Sequence, residues 1–240
     1  EAAAASATGT GRDGAPDTER PRLALALDVD DLVEAQRLAT RLAPWFATAK
    51  VGLELYSAAG PEAVSAVRDL GLDVFCDLKL HDIPTTVGRA ARVLGSLGVR
   101  YLTIHTAGGV AMVRAGADGL RAGAAEAGLP EPVPLGVTVL TSEAEASVHL
   151  LHDRVAVGLE AGCGGFVCSP LDVPAVRQLA PSSTLVTPGI RPVGAPVDDQ
   201  GRVATPGAAL AAGADVLVIG RPVTRAVDPV AAARALVAEL

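Results

Sequence analysis

Eight short apolar runs, separated by stretches with helical periodicity, recur from Pro21 to the end of the chain. No other feature restricts the fold so tightly. The runs lie at residues 23–27, 49–52, 74–77, 101–105, 135–139, 165–168, 185–186 and 216–219. Helical spacing of apolar residues falls at 32–42, 62–70, 85–97, 170–179 and 206–212, and Asp228-Pro229 opens a last helix with proline at its first position. Strands that are apolar on both faces, alternating with helices, imply a parallel sheet covered by those helices. Eight such units in about 220 residues favour closure into a single (β/α)8 TIM barrel spanning residues 21–240. The competing architecture, an open doubly wound sheet, wants a glycine-rich turn after its first strand. Here Leu27 leads instead into Asp28-Val29-Asp30-Asp31, which cannot cradle a pyrophosphate.

Composition removes several classes of partner. Aromatic residues make up only 2% of the chain, too few for a surface on which single-stranded bases stack. With 27 acidic against 20 basic residues and no Lys/Arg stripe, duplex nucleic acid is excluded as a partner as well. No apolar run reaches membrane-spanning length. Cys76, Cys163 and Cys168 lack zinc spacing and form no even disulfide framework, which fits a reducing cytoplasmic setting. Cys76, inside a strand, reads as a small buried hydrophobe. Residues 1–20 are rich in Ala, Gly, Thr and Asp and have no basic start followed by an apolar run. They read as a disordered leader or engineered remnant rather than a signal peptide.

In a barrel, chemistry belongs at the C-terminal ends of the strands. The third run ends in Asp77-Leu78-Lys79-Leu80-His81-Asp82-Ile83-Pro84. Residues two apart on a strand share a face, so Asp77 and Lys79 are expected to project together. Ile83-Pro84 forces the strand to end near Leu80. A structural ion pair at a strand end is the plain alternative. The chain's only two lysines are Lys50 and Lys79, although arginine supplies positive charge everywhere else. Such selectivity suggests a need for a compact ammonium or a transferable proton. Lys50, Asp77, Lys79 and Asp82 sum to zero charge and are tolerable together if fully hydrogen-bonded. An ammonium among carboxylates is a charged acid able to protonate a developing carbanion. The lysines argue against Mg²⁺, and the carboxylates against a Schiff-base lysine. At the ends of the seventh and eighth runs, Thr187-Pro188-Gly189-Ile190-Arg191 and Gly220-Arg221 set glycine near arginine, the usual barrel arrangement for phosphate. His81 and His105 read as loop and wall residues, and His149 and His152 as surface residues on a helix.

The segment Asp77-Leu78-Lys79-Leu80-His81-Asp82-Ile83-Pro84-Thr85-Thr86 resembles the signature of orotidine 5′-phosphate decarboxylases in their common bacterial form. Leu25-Ala26-Leu27-Asp28 and Lys50-Val51-Gly52 resemble that family's first two strand ends. Val137-Thr138-Val139-Leu140-Thr141-Ser142 is similar to its pyrimidine-side loop. The segments 187–192, Asp199-Gln200 and Val218-Ile219-Gly220-Arg221-Pro222 resemble its phosphate-binding stretches, in the usual order. Coverage runs from Leu23 to the C-terminus. Leu80 stands where phenylalanine is frequent, and Thr85 where asparagine is.

The resemblance implies cofactor-independent decarboxylation of orotidine 5′-phosphate to uridine 5′-phosphate, the last step of pyrimidine nucleotide synthesis. It implies Lys79 as proton donor to pyrimidine C6, Asp77 facing the departing carboxylate, and Lys50 with Asp82 completing the charge network. It also implies Asp28 and Lys50 on ribose hydroxyls, Thr141 on the base, and Gln200, Gly220 and Arg221 on phosphate, with Ile83, Pro188 and Arg191 nearby. A homodimer with shared sites follows too, Asp82 and Thr86 reaching the neighbouring subunit. Two other readings stand beside this one. One is an Mg²⁺-dependent sugar-phosphate decarboxylase or synthase of the same superfamily, which places a metal-binding Glu where this chain has Lys50. The other is a catalytically silent nucleotide-binding barrel.

Overall fold

A computed structural model describes residues 23–139, 148–192 and 203–240. Eight parallel strands close into a barrel in sequence order: β1 (Leu23–Leu27), β2 (Thr48–Gly52), β3 (Asp73–Leu80), β4 (Tyr101–His105), β5 (Val133–Val137), β6 (Gly165–Val167), β7 (Thr184–Thr187) and β8 (Val216–Ile219). β1 pairs with both β2 and β8, which closes the ring and disposes of the open-sheet alternative. Around it run α1 (Leu32–Leu42), α2 (Leu53–Ala59), α3 (Pro61–Asp69), α4 (Pro84–Ser96), α5 (Gly109–Glu126), α6 (Val148–Glu160), α7 (Val173–Leu179), α8 (Pro206–Ala211), α9 (Arg221–Thr224) and α10 (Pro229–Val237). The expectation for residues 1–20 lies outside the described residues. No described helix is long and apolar enough to cross a membrane.

Alternation along β1 shows how the core divides. Leu23, Leu25 and Leu27 point outward into the layer between sheet and helices. Ala24 and Ala26 point inward, where they meet Phe75, Leu135, Val186, Val216 and Val218. A small inner cluster of this kind fills a barrel lumen with side chains and leaves a packed core rather than a pore.

Several boundaries differ from the sequence reading. β5 begins two residues earlier than expected, because Pro134 sits inside the strand near its start, where a missing N–H is tolerated. α2 follows β2 directly, with no loop to mark it. Most visibly, α5 carries Gly109, Gly116, Gly119 and Gly123, residues that weaken any helical pattern by about 1 kcal/mol each relative to alanine. The reason is packing. A Cβ at Gly119 would collide with the carbonyl oxygen of Gly88, and one at Gly123 with that of Arg92. The backbones of α4 and α5 therefore touch.

Gly123→Ala is accordingly expected to lower stability by about 1–3 kcal/mol in urea unfolding, despite alanine's better helix propensity. A gain in stability would show that the two helices separate without cost.

Candidate active site

The strand ends surround a cavity of about 230 Å³. Asp28, Lys50, Asp77 and Lys79 line one side, and Pro188, Gly189, Arg191, Gly220 and Arg221 another. Ala26, Phe75, Val137, Val139, Val167 and Val218 contribute apolar surface. Four cations and two carboxylates leave an excess of two positive charges, which suits a phosphate-bearing anion.

The charged side forms a chain of alternating sign. Lys50 Nζ donates to Asp28 Oδ1 at 2.8 Å and lies 3.8 Å from Asp77 Oδ2. Lys79 Nζ donates to Asp77 Oδ1 at 2.8 Å. The two middle members are the least exposed, the Lys50 side chain at 11% and Asp77 at 16%, whereas Asp28 at 59% and Lys79 at 32% face outward. Burial is tolerable because each inner charge has an opposite charge on either side.

Strand register explains how one lysine reaches two carboxylates. Gly52 pairs with Asp77, and Asp28 lies one step beyond the Leu27–Val51 pair, so Asp28, Gly52 and Asp77 stand at one level. Lys50 starts two residues lower on the middle strand and extends along the face that it shares with Gly52. A Cβ at position 52 would meet Lys50 Nζ at 3.1 Å and Asp28 Oδ1 at 3.4 Å. The ammonium occupies the space that a side chain would need.

Asp77 and Lys79 do meet, but not through regular alternation. Cys76 pairs with Leu102 and Leu80 with Ile104, so Asp77, Leu78 and Lys79 stand opposite the single residue Thr103. Lys79 adopts φ +48°, alone among the described non-glycine residues in having positive φ. A side-chain-bearing residue in this region costs roughly 1–3 kcal/mol and persists only when its surroundings fix it. The bulge lifts the Lys79 N–H out of the ladder, and Thr103 Oγ1 accepts it at 2.8 Å. The same hydroxyl donates to Asp77 Oδ1 at 3.1 Å.

Other expected residues fall elsewhere. Asp82 does not join the four-charge chain. Its carboxylate accepts the Ile83 N–H at 2.6 Å, and among the described residues no ion pair joins it to either lysine. Asp28 takes the place in the neutral cluster that the sequence reading assigned to Asp82. Ile83, at 65% exposure, and Thr86 project from the same exposed corner at the start of α4. Arg191 is buried and donates from Nη1 to the Ile190 carbonyl at 3.0 Å. Thr141 and Gln200 lie outside the described residues. The His81 and His105 rings sit 5.4 Å apart, and His105 Nδ1 accepts the Ala107 N–H at 3.2 Å, as befits loop and wall residues.

Two polar residues at the site escaped the sequence reading. Ser169 lines the cavity and donates to Asp172 Oδ2 at 2.8 Å. Thr103 is the other, and it left a signal: a hydroxyl in the middle of the apolar strand Tyr101–His105 must find a buried partner. No described group of three or more His, Cys, Asp or Glu side chains is arranged to hold a metal ion. The thiols are unsuited to nucleophilic work. Burial pushes Cys76 and Cys168 up to about 12, with Asp77 adding to the effect at Cys76 and Asp172 at Cys168. Burial likewise raises Cys163 to about 12, against a small opposing effect of Arg121.

Comparison with known proteins agrees with this geometry. The model of the orotidine 5′-phosphate decarboxylase/HUMPS family matches residues 21–236. The chain belongs to that family. The match begins just before β1 and ends within α10, so it takes in all eight strands and every residue lining the cavity. Among curated relatives, the orotidine 5′-phosphate decarboxylase of Moorella thermoacetica is 47% identical over 92% of this chain and 92% of its own length. That of Thermobifida fusca is 50% identical over 91% of this chain and 95% of its own. Among solved structures, orotidine 5′-phosphate decarboxylase from Lactobacillus acidophilus superposes with a TM-score of 0.78 at 34% identity, covering 91% of this chain and 98% of that one.

Because the three thiols are buried and stay protonated well above neutral pH, the folded protein is expected to resist iodoacetamide at pH 8 and the unfolded protein to take up three labels. Mass spectrometry checks this. Rapid labelling of the native protein would contradict the burial of the thiols.

Proposed function

We propose that this protein is a carboxy-lyase that converts orotidine 5′-phosphate to uridine 5′-phosphate and carbon dioxide without metal or organic cofactor, closing pyrimidine nucleotide synthesis in the cytoplasm. Family membership over the whole barrel supports the reaction. The observation that carries the mechanism is the alternating chain Asp28–Lys50–Asp77–Lys79, with its outer ammonium facing an apolar-walled cavity. Gln200, Gly220 and Arg221 grip the phosphate, with Pro188 and Arg191 of the β7 end beside them. Asp28 and Lys50 hold the ribose hydroxyls, and Thr141 meets the base.

When the C6–carboxylate bond breaks, its electron pair stays on C6 and carbon dioxide departs. The Lys79 ammonium stabilises that pair and transfers a proton to it. C6–H forms, and a neutral amine remains that takes its next proton from water. Nothing delocalises the carbanion, so preorganised charge has to supply most of a barrier reduction of roughly 8–23 kcal/mol. Asp77 holds the ammonium in place and faces the substrate carboxylate. Phosphate binding far from C6 contributes remote binding energy to the reacting centre. Lys50 stands where the Mg²⁺-dependent relatives need a carboxylate ligand, which disfavours that chemistry here.

Asp82 completes the network from a second subunit. The exposure of Asp82, Ile83 and Thr86 together on one corner supports a homodimer with shared sites.

EDTA-treated protein is expected to consume orotidine 5′-phosphate, followed by the change in pyrimidine absorbance. A strict requirement for Mg²⁺ would instead favour the sugar-phosphate branch of the superfamily. Lys79→Ala is expected to lose about 10²–10⁴-fold in turnover while still binding uridine 5′-phosphate, and unchanged turnover would remove Lys79 as the proton donor. Mixing Lys79→Ala with Asp82→Ala chains is expected to restore partial activity, since one site in each mixed dimer is intact. No recovery would mean that each subunit works alone.

A further inference from the structure

We propose that Thr103 is a positioning residue that sets the geometry of the proton donor without touching the substrate. This rests on the reading of Lys79 as that donor. Thr103 is fully buried in β4 and is not among the residues lining the cavity, so any influence on chemistry passes through its neighbours. It is the only residue of β4 facing the irregular stretch of β3, one against three. A hydroxyl has one proton to give and lone pairs to receive, and both capacities are used here. It accepts the Lys79 N–H at 2.8 Å, and its proton goes to Asp77 Oδ1 at 3.1 Å, a charged and nearer acceptor than the Cys76 carbonyl at 3.5 Å. Asp77 Oδ1 is also the atom that receives the Lys79 ammonium at 2.8 Å.

One hydroxyl thus closes a ring: it fixes the backbone of Lys79 and the carboxylate that holds the Lys79 side chain. The left-handed conformation of Lys79 makes the first bond important. A bulged backbone with an unpaired N–H relaxes to a commoner φ, and the ammonium moves with it. Displacement of a catalytic group by about 1 Å costs on the order of 10²-fold in rate while leaving binding contacts largely in place.

The test compares Thr103→Val, which keeps the shape and removes the hydroxyl, with Thr103→Ser, which keeps the hydroxyl and removes the methyl. Thr103→Val is expected to lower kcat for orotidine 5′-phosphate by about 10- to 100-fold, with KM and uridine 5′-phosphate affinity held within about threefold. Thr103→Ser is expected to keep kcat within about threefold of the parent. Exchange of the Lys79 amide, followed by NMR, is expected to accelerate in Thr103→Val and not in Thr103→Ser. If the valine variant fails to fold, Thr103→Ala against Thr103→Ser isolates the hydroxyl in the same way. Undiminished kcat in the hydroxyl-free variants, or an equal loss in Thr103→Ser, would overturn the proposal. Lys79→Ala run in parallel keeps the two ideas apart. If that variant turns over normally, the donor assignment falls, and the Lys79 amide exchange still decides whether Thr103 holds the bulge.

Discussion

Two ammonium groups and two carboxylates alternate across three adjacent strands, and the mouth of the barrel is organised around keeping that order. Reversing any neighbour would leave a like pair or an unpaired charge in a half-buried site, a loss of several kcal/mol in comparable settings. The order depends on register. β1, β2 and β3 must be parallel and stepped so that Lys50 rises between Asp28 and Asp77, and residue 52 must be bare so that it can pass. A closed barrel supplies this rigidity better than an open sheet, since no strand has a free edge along which to slide.

The third strand departs from this regularity at the point where the chemistry is concentrated. In a flat strand Asp77 and Lys79 would stand side by side at fixed spacing. The bulge lets the lysine turn back on the aspartate, and β4 supplies the hydroxyl that holds it there. The backbone strain at Lys79 is balanced by a contact from a neighbouring strand, so the donor's geometry depends on a residue distant in sequence.

Much of this was legible in the chain. Eight apolar runs separated by helical spacing fixed the barrel, and the charged residues at their ends marked its working face. Glycine concealed α5, because the same residues that let two helix backbones touch also erase helical propensity. The proximity of Asp77 and Lys79 was anticipated from strand alternation, yet the cause is a bulge that no local pattern announces. Asp82 lies close to Lys79 along the chain yet forms no ion pair with it among the described residues, since the strand ends between them and the Asp82 carboxylate accepts the Ile83 N–H. Thr103 carried a readable signal, a polar residue in a buried strand, but its partners are 24 and 26 residues away and pairing is not written in spacing.

The two lysines have a consequence beyond the reaction itself. Both ε-amines are engaged in ion pairs at the barrel mouth, and every other side-chain cation of the chain is a guanidinium or an imidazole. The outer wall therefore offers no side-chain primary amine to acetylation, glycation or amine-directed cross-linkers. Side-chain amine chemistry, elsewhere a source of random surface modification, is confined here to the mouth of the barrel.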